Sequence, residues 1–249
     1  MQKTNNTILM TGGGSGIGRA LAEAFASAGN QVIITGRDTA KLQSVIAANP
    51  GIHARALDVT DSASIDAFAQ KIVQDFPTLN VVINNAGIMQ IEDIKAAPGN
   101  LKASEATVAT NILGPIRLTS ALLPHLLQQP DSTVAFVTSG LAFVPMSATP
   151  TYSASKSAMH AYAVSLRHQL KGTSVKVMEI IPPYVQTELM GPQQASDPHA
   201  MPLADYIAET MSIIQSNPDV EEVVVERCKR LRFAVANGTF DEVFRTLNP

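Results

Sequence analysis

The chain has 249 residues, 45% of them apolar, which is enough for one large domain around a single core. Its formal charge of −3, with Lys and Arg scattered, offers no basic face for nucleic acid, and a single cysteine, Cys228, excludes an internal disulfide and suits a reducing compartment. No apolar run is long enough to span a bilayer and no charged segment leads into a long apolar stretch at the start, so a cytoplasmic protein without membrane contact is expected.

Residues 7–10 are a short apolar run that reads as a buried first strand. They feed Thr11-Gly12-Gly13-Gly14-Ser15-Gly16-Ile17-Gly18. Ala20, Leu21, Ala24, Phe25 and Ala28 then follow at helical spacing. Gly29-Asn30 ends that helix, and residues 31–35 read as a second strand. Strand, glycine loop, helix and strand make one βαβ unit, whose loop turns backbone N–H groups and a helix N-terminus toward a pyrophosphate. The spacing is Gly-x-x-x-Gly-x-Gly, at Gly12, Gly16 and Gly18. The competing reading is a glycine-rich turn with no ligand.

Further along, Asp38 is placed to cap a helix beginning at Thr39. Residues 52–57 read as a third strand, 62–76 as a helix with Ile65, Phe68, Ala69, Ile72 and Val73 inward, and 80–83 as a fourth strand. A largely helical stretch over 104–127 is interrupted around Gly114-Pro115. Strands over 133–138 and 175–181 flank a helix over 152–170. Strands alternating with helices of this length predict an α/β fold: a single doubly wound parallel sheet, a Rossmann fold of six or seven strands with helices on both faces. Its loops after the strands share one edge, where ligands bind. Residues 201–214, 220–235 and 240–247 read as helices, with no clear seventh strand. The expected organisation is one domain over 1–249, with an atypical helical region over 188–249 covering the substrate side.

Tyr152 and Lys156 stand four residues apart, and Ser139 precedes Tyr152 by thirteen. Residues four apart share one helix face, so phenol and ammonium can enter one cleft. A phenol titrates near pH ~10. A neighbouring cation favours the phenolate and lowers that value. With the Ser139 hydroxyl to hold a substrate oxygen, the trio suits proton transfer at a carbonyl or alcohol. Tyr-x-x-x-Lys by itself also occurs on ordinary surface helices. His125 reads as a buried or helix-end histidine, and His160 either faces the site or sits at a helix interface. No His, Cys or carboxylate grouping shows metal-ligand spacing, so no catalytic metal is expected. Arg227, Lys229, Arg230 and Arg232 read as the solvated face of a helix, and Cys228 as inert.

The sequence resembles the short-chain dehydrogenase/reductase family over about residues 7–190. The resemblance rests on the glycine loop, Asn84-Asn85-Ala86-Gly87 after the fourth strand, Asn111 in Thr110-Asn111-Ile112-Leu113-Gly114, Ser139 at the end of the fifth strand, the Tyr152/Lys156 pair, and Pro182-Pro183-Tyr184-Val185-Gln186-Thr187 after the sixth. Pro183 stands where relatives usually carry glycine. The resemblance implies an oxidoreductase that exchanges a hydride between a nicotinamide and a ketone, aldehyde or secondary alcohol. Tyr152 would be the general acid/base, Lys156 would lower its pKa and hold the ribose, Ser139 would orient the carbonyl and Asn111 would hold a water. The alternative for Asn111 is a bond to its own helix backbone. Gly12, Gly14, Ser15, Gly16, Ile17, Gly18, Arg37, Asp58, Val59, Asn85, Ala86, Gly87, Pro182, Val185 and Thr187, with Tyr152 and Lys156, would bind the cofactor. Asp58 would accept the adenine amino group; its alternative is a cap for the following helix.

The family layout places Leu141, Phe143, Val144, Pro145 and Met146 across from Tyr184, Leu189 and Met190. These are mostly apolar and include no Arg or Lys, which points to a neutral, largely apolar substrate. Where NAD enzymes place an acid at the end of the second strand, this chain has Gly36 followed by Arg37, with Lys41 a turn further on. NADP is therefore expected, with NAD as the alternative. The missing seventh strand favours a homodimer through residues 104–127 and 151–170 over a tetramer. A catalytically silent NAD(P)-sensing regulatory protein, the other functional reading, would be favoured by loss of the tyrosine or lysine, and both are present.

Overall fold

The computed structural model describes residues 1–96, 98–99 and 101–249. Seven strands, β1 (Thr7–Thr11), β2 (Gln31–Gly36), β3 (Ile52–Ala56), β4 (Leu79–Asn84), β5 (Ser132–Val137), β6 (Val175–Ile181) and β7 (Glu222–Val224), form one sheet in the order β3-β2-β1-β4-β5-β6-β7. Every pairing is parallel.

Both sheet faces are covered, so the strands are apolar on both sides and the alternation only sorts residues between two cores. Ile8 and Met10 pack with Leu21 and Phe25 of α1 (Gly16–Ser27), Leu42 and Val45 of α2 (Thr39–Ala48) and Met211 and Ile214 of α7 (Leu203–Ser216). Leu9, between them, faces the opposite core. There Ile65 and Ile72 of α3 (Ser62–Asp75), Leu118 and Leu122 of α5 (Gly114–Leu126) and Met159 and Ala163 of α6 (Pro150–Gln169) meet Val134, Phe136 and Val177. The strand order reverses between β1 and β4, so crossovers leave in opposite directions and a crevice opens beyond their carboxyl ends.

Asp38 caps α2, accepting the Lys41 backbone N–H at 3.0 Å. Asp61, rather than Asp58, caps α3, through the N–H groups of Ala63 and Ser64. Between α4 (Leu101–Val108) and α5 the chain takes a π-helical turn, Ala109–Leu113. The break expected at Gly114-Pro115 thus falls one turn earlier, and Pro115 occupies the first turn of α5, where its missing N–H costs nothing.

The C-terminal part corrects the sequence reading. Residues 220–235 are not one helix: β7 extends the sheet, pairing Ile180 with Val223 and Ile181 with Val224, and a short turn leads into α8 (Lys229–Arg232). Val220, Val223 and Val224 fit a helical period and a three-residue strand equally well, and only the open edge of β6 decides between them. α7 packs against α1. α9 (Phe240–Leu247) lays Val243 and Phe244 over Val144, and Asn248 accepts the Ser147 N–H at 2.6 Å. No helix among the described residues is long and apolar enough to cross a membrane.

Candidate active site

A cavity of about 590 Å³ lies at the switch point, within the usual range for a ligand site. One wall is the glycine loop. Gly12 and Gly16 have φ of 68° and 53°, which L side chains rarely adopt. Gly18 is fixed by packing, since a Cβ there would stand 2.4 Å from the Gly12 carbonyl oxygen and 2.3 Å from Asn85 Nδ2. Ser15 makes no side-chain cap and the first turn of α1 holds no acid, so its N–H groups are left for an anion. This cradle fits a pyrophosphate. Gly12, Ser15, Gly16, Ile17 and Gly18 line the cavity, whereas Gly14 does not: it packs toward Lys41 and Leu42. Gly13, not singled out from sequence, is held by Ile34, whose Cγ2 would lie 2.5 Å from an added Cβ.

At the sheet edge beyond β2, Thr35, Gly36, Arg37 and Lys41 line the cavity with Leu57, Asp58, Val59 and Thr60. Asp58 accepts the Thr60 N–H and hydroxyl at 2.9 and 2.8 Å. Burial raises its pKa, but these bonds and the Arg37 charge outweigh that and hold it below the usual value. Asp38 spends its carboxylate on the α2 cap, which leaves Arg37 as the charged neighbour of Gly36.

Asn85, Ala86 and Gly87 form the cavity floor. The Asn85 side chain is turned inward and donates to the Thr11 carbonyl at 2.9 Å, while Thr11 Oγ1 accepts the N–H groups of Asn85 and Ala86 at 3.0 Å each. Asn111 does not bond its own helix backbone. It clamps Ile88, accepting that N–H and donating to that C=O at 2.9 Å each, and also donates to Ser155 Oγ at 3.1 Å.

Tyr152 and Lys156, one turn apart on α6, both reach the cavity, and both are more than nine-tenths buried. Burial pushes the phenol up to about 12, although a hydrogen bond with Ser139 opposes the rise. Lys156 is not among the groups that set this value. Its ammonium lies 5.4 Å from the ring centroid and donates to the Val137 carbonyl at 2.8 Å. Burial brings Lys156 down to about 8, with Glu179 as the opposing charge.

Pro182, Thr187, Glu188 and Leu189 close the cavity, along with Ile88, Met89 and Gln90. Other expected lining residues turn elsewhere. Val185 is buried and bridges to Met201. Phe143 lies against His160 and beneath Arg232. Tyr184 donates to Asp197 at 2.9 Å. Leu141 lies outside the lining, since the loop after Ser139 is held to α8 and α9, and so does Met190, whose backbone N–H donates to Gln194 Oε1 at 2.9 Å. His125 bonds the Leu79 carbonyl at 3.0 Å, as a structural histidine does. The basic cluster is paired: Arg230 with Glu242, and Arg232 with both oxygens of Glu222.

Sequence reasoning missed a polar group behind the site. His160, Glu179 and Glu222 bring potential ligand atoms within 4.8 Å of one another. Glu179 and His160 are hydrogen-bonded at 2.7 Å, and Glu222 is already claimed by Arg232. The available signal was an acidic residue in the middle of an otherwise apolar strand, Val177-Met178-Glu179-Ile180-Ile181.

Residues 6–198 match the family model described as short chain dehydrogenase. An uncharacterized oxidoreductase, DltE, of Bacillus subtilis is 36% identical over 253 residues, covering 100% of this chain and 98% of that protein. Serine 3-dehydrogenase of Agrobacterium fabrum is 32% identical over 224 residues, 86% of this chain and 89% of that one. A short chain dehydrogenase from Shigella flexneri, solved with NADP, superposes with a TM-score of 0.74 at 28% identity, covering 82% of this chain and 91% of that one.

Proposed function

Because the chain belongs to the short chain dehydrogenase family, and is an oxidoreductase of that family, we propose that it is an NADP-preferring carbonyl reductase or alcohol dehydrogenase. Its substrate is a neutral, largely apolar ketone, aldehyde or secondary alcohol. One observation carries this reading: the phenol of Tyr152 and the buried Lys156 open onto the same cavity as the free N-terminus of α1 and Arg37.

The nicotinamide cofactor, when bound, supplies the hydride. The residues present fit such a group. The N–H groups at Ser15–Gly18 bind the pyrophosphate. Arg37, with Lys41 beside it, offers a planar fork to a 2′-phosphate. Leu57, Asp58 and Val59 hold the adenine. Tyr152 keeps its proton until the substrate oxygen needs it and then gives it up from Oη; a phenol raised by burial suits that donor role in the reductive direction. Ser139 orients the substrate oxygen, and Lys156 holds the ribose. Asn111, with its side chain spent on Ile88 and Ser155, braces the cavity floor.

Ile88, Met89 and Leu189 give the cavity its apolar lining, and Glu188 disfavours anions. That supports a neutral substrate even though one relative is named for serine. Exposed Leu101, Val108, Leu113 and Val164, on and between α4, α5 and α6, support pairing of two copies through those helices.

The test is a panel of ketones, aldehydes and secondary alcohols with NADPH and NADH, following absorbance of the reduced cofactor. Turnover of neutral ketones, faster with NADPH, is expected. Strong preference for anionic substrates would refute the substrate class. Cofactor binding without any turnover would favour the silent NAD(P)-sensing alternative.

A further inference from the structure

Glu179 places a carboxylate in the middle of β6, fully shielded from solvent, with Val177, Met178, Ile180 and Ile181 buried around it. A carboxylate without partners there would be very costly. Glu179 has two. Its Oε1 accepts from Thr138 Oγ1 at 2.7 Å, and its Oε2 meets His160 Nδ1 at 2.7 Å. Thr138 immediately precedes Ser139 and lines the cavity, and His160 stands one turn beyond Lys156 on α6. Glu179 thus ties the strand end that carries Ser139 to the helix that carries Tyr152 and Lys156, from behind.

We propose that Glu179, held by His160, is a positioning residue for this centre: it locks the Ser139 strand end against the Lys156 helix and supplies the negative charge that faces the Lys156 ammonium. Burial drives Lys156 toward its neutral form, and Glu179 opposes this. The other charged and titratable groups around it are accounted for. Glu222 of β7 holds Arg232 of α8 through both carboxylate oxygens, at 2.7 and 2.8 Å, so each largely neutralises the other, although Arg232 still feels Glu179 and Glu222 still feels His160. Arg167 of α6 turns outward to the Val177 and Glu221 carbonyls and the Glu221 carboxylate. The buried Cys228 thiol, raised to about 12, carries no charge. The Glu179 carboxylate thus faces Lys156 and His160, with Arg232 as a further cation already held by Glu222.

The importance of this pair rests on the catalytic reading of Lys156, but its test does not. The full chain, labelled with 13Cε-lysine and with Lys156 assigned by Lys156→Met, is titrated by NMR. Glu179→Gln keeps the shape and can still accept from Thr138. It is expected to lower the Lys156 midpoint by at least about one pH unit, as loss of an adjacent opposite charge in a buried site does. The alkaline limb of the kcat profile should move with it. An unmoved midpoint overturns the proposal, including where activity falls equally at every pH, which would mark a purely structural role. If Glu179→Gln does not fold, the parent answers the question. The Glu179 13Cδ resonance must then show an inflection at the Lys156 midpoint that vanishes in Lys156→Met, and its absence overturns the proposal equally. A moved midpoint in a protein that turns over nothing sinks the catalytic reading and leaves the charge coupling standing.

Discussion

Glu92 accepts the Thr151 backbone N–H at 3.0 Å and the Thr151 hydroxyl at 2.7 Å, one residue before Tyr152. Thr149 gives α6 no side-chain cap, so a residue 59 positions away satisfies the N-terminus of the helix that presents Tyr152. Ser104 donates to the same carboxylate at 2.7 Å.

Glu92→Gln should therefore destabilise the protein at pH 7 by about 1.5–3 kcal/mol, the usual worth of hydrogen bonds to a buried charged group. Burial raises the Glu92 pKa, but the bonds from Thr151 and Ser104 outweigh it and leave it below the usual value. A depressed folded-state pKa contributes stability that is complete above the unfolded value, about 4.3, and is lost as pH falls through the folded one. Urea denaturation of parent and variant should show a gap at pH 7 that closes below about pH 4. A gap independent of pH would exclude the carboxylate charge as its source.

Tyr152→Phe should lower kcat by about 10²–10⁴-fold, the usual share of a general acid. Cofactor affinity should stay close to the parent's, because the phenol proton matters only as the substrate oxygen takes it. Turnover within threefold of the parent would remove the tyrosine from the mechanism. Lys156→Ala should weaken turnover and cofactor binding together.

Arg37 lines the cavity beside Gly36 with Asp38 turned to its helix cap. Arg37→Ala should cost about 10–100-fold in kcat/KM for NADPH, equivalent to losing a charge-assisted bond, and little for NADH. Equal losses for the two cofactors would show that Arg37 does not meet a 2′-phosphate.

Cys228 is fully buried, and burial pushes its thiol up to about 12. A colorimetric disulfide reagent at pH 8 should therefore leave the native protein unlabelled for as long as it stays folded and titrate one thiol in urea. Rapid labelling of the native protein would contradict the placement of residues 226–232 against Gly140.

The sequence by itself determined the frame. Apolar runs four to seven residues long, separated by helical periods, can bury themselves only as a parallel sheet covered on both faces. The glycine loop and the Tyr152/Lys156 pair could be proposed from backbone conformation and from spacing along one element, whereas Asn85–Gly87 came from the resemblance to the family. What the tertiary structure alone decided depends on partners distant in the chain. β7 exists because β6 offers it an open edge. Phe143 left the expected pocket because Arg232 and His160 enclose it. Asn111 is committed to Ile88 by a π-turn that no periodicity announces. The protonation of Tyr152 and Lys156 follows from burial and from a carboxylate on another strand. Spacing specifies which side chains share a face, but desolvation and electrostatic fields come from everything packed around them.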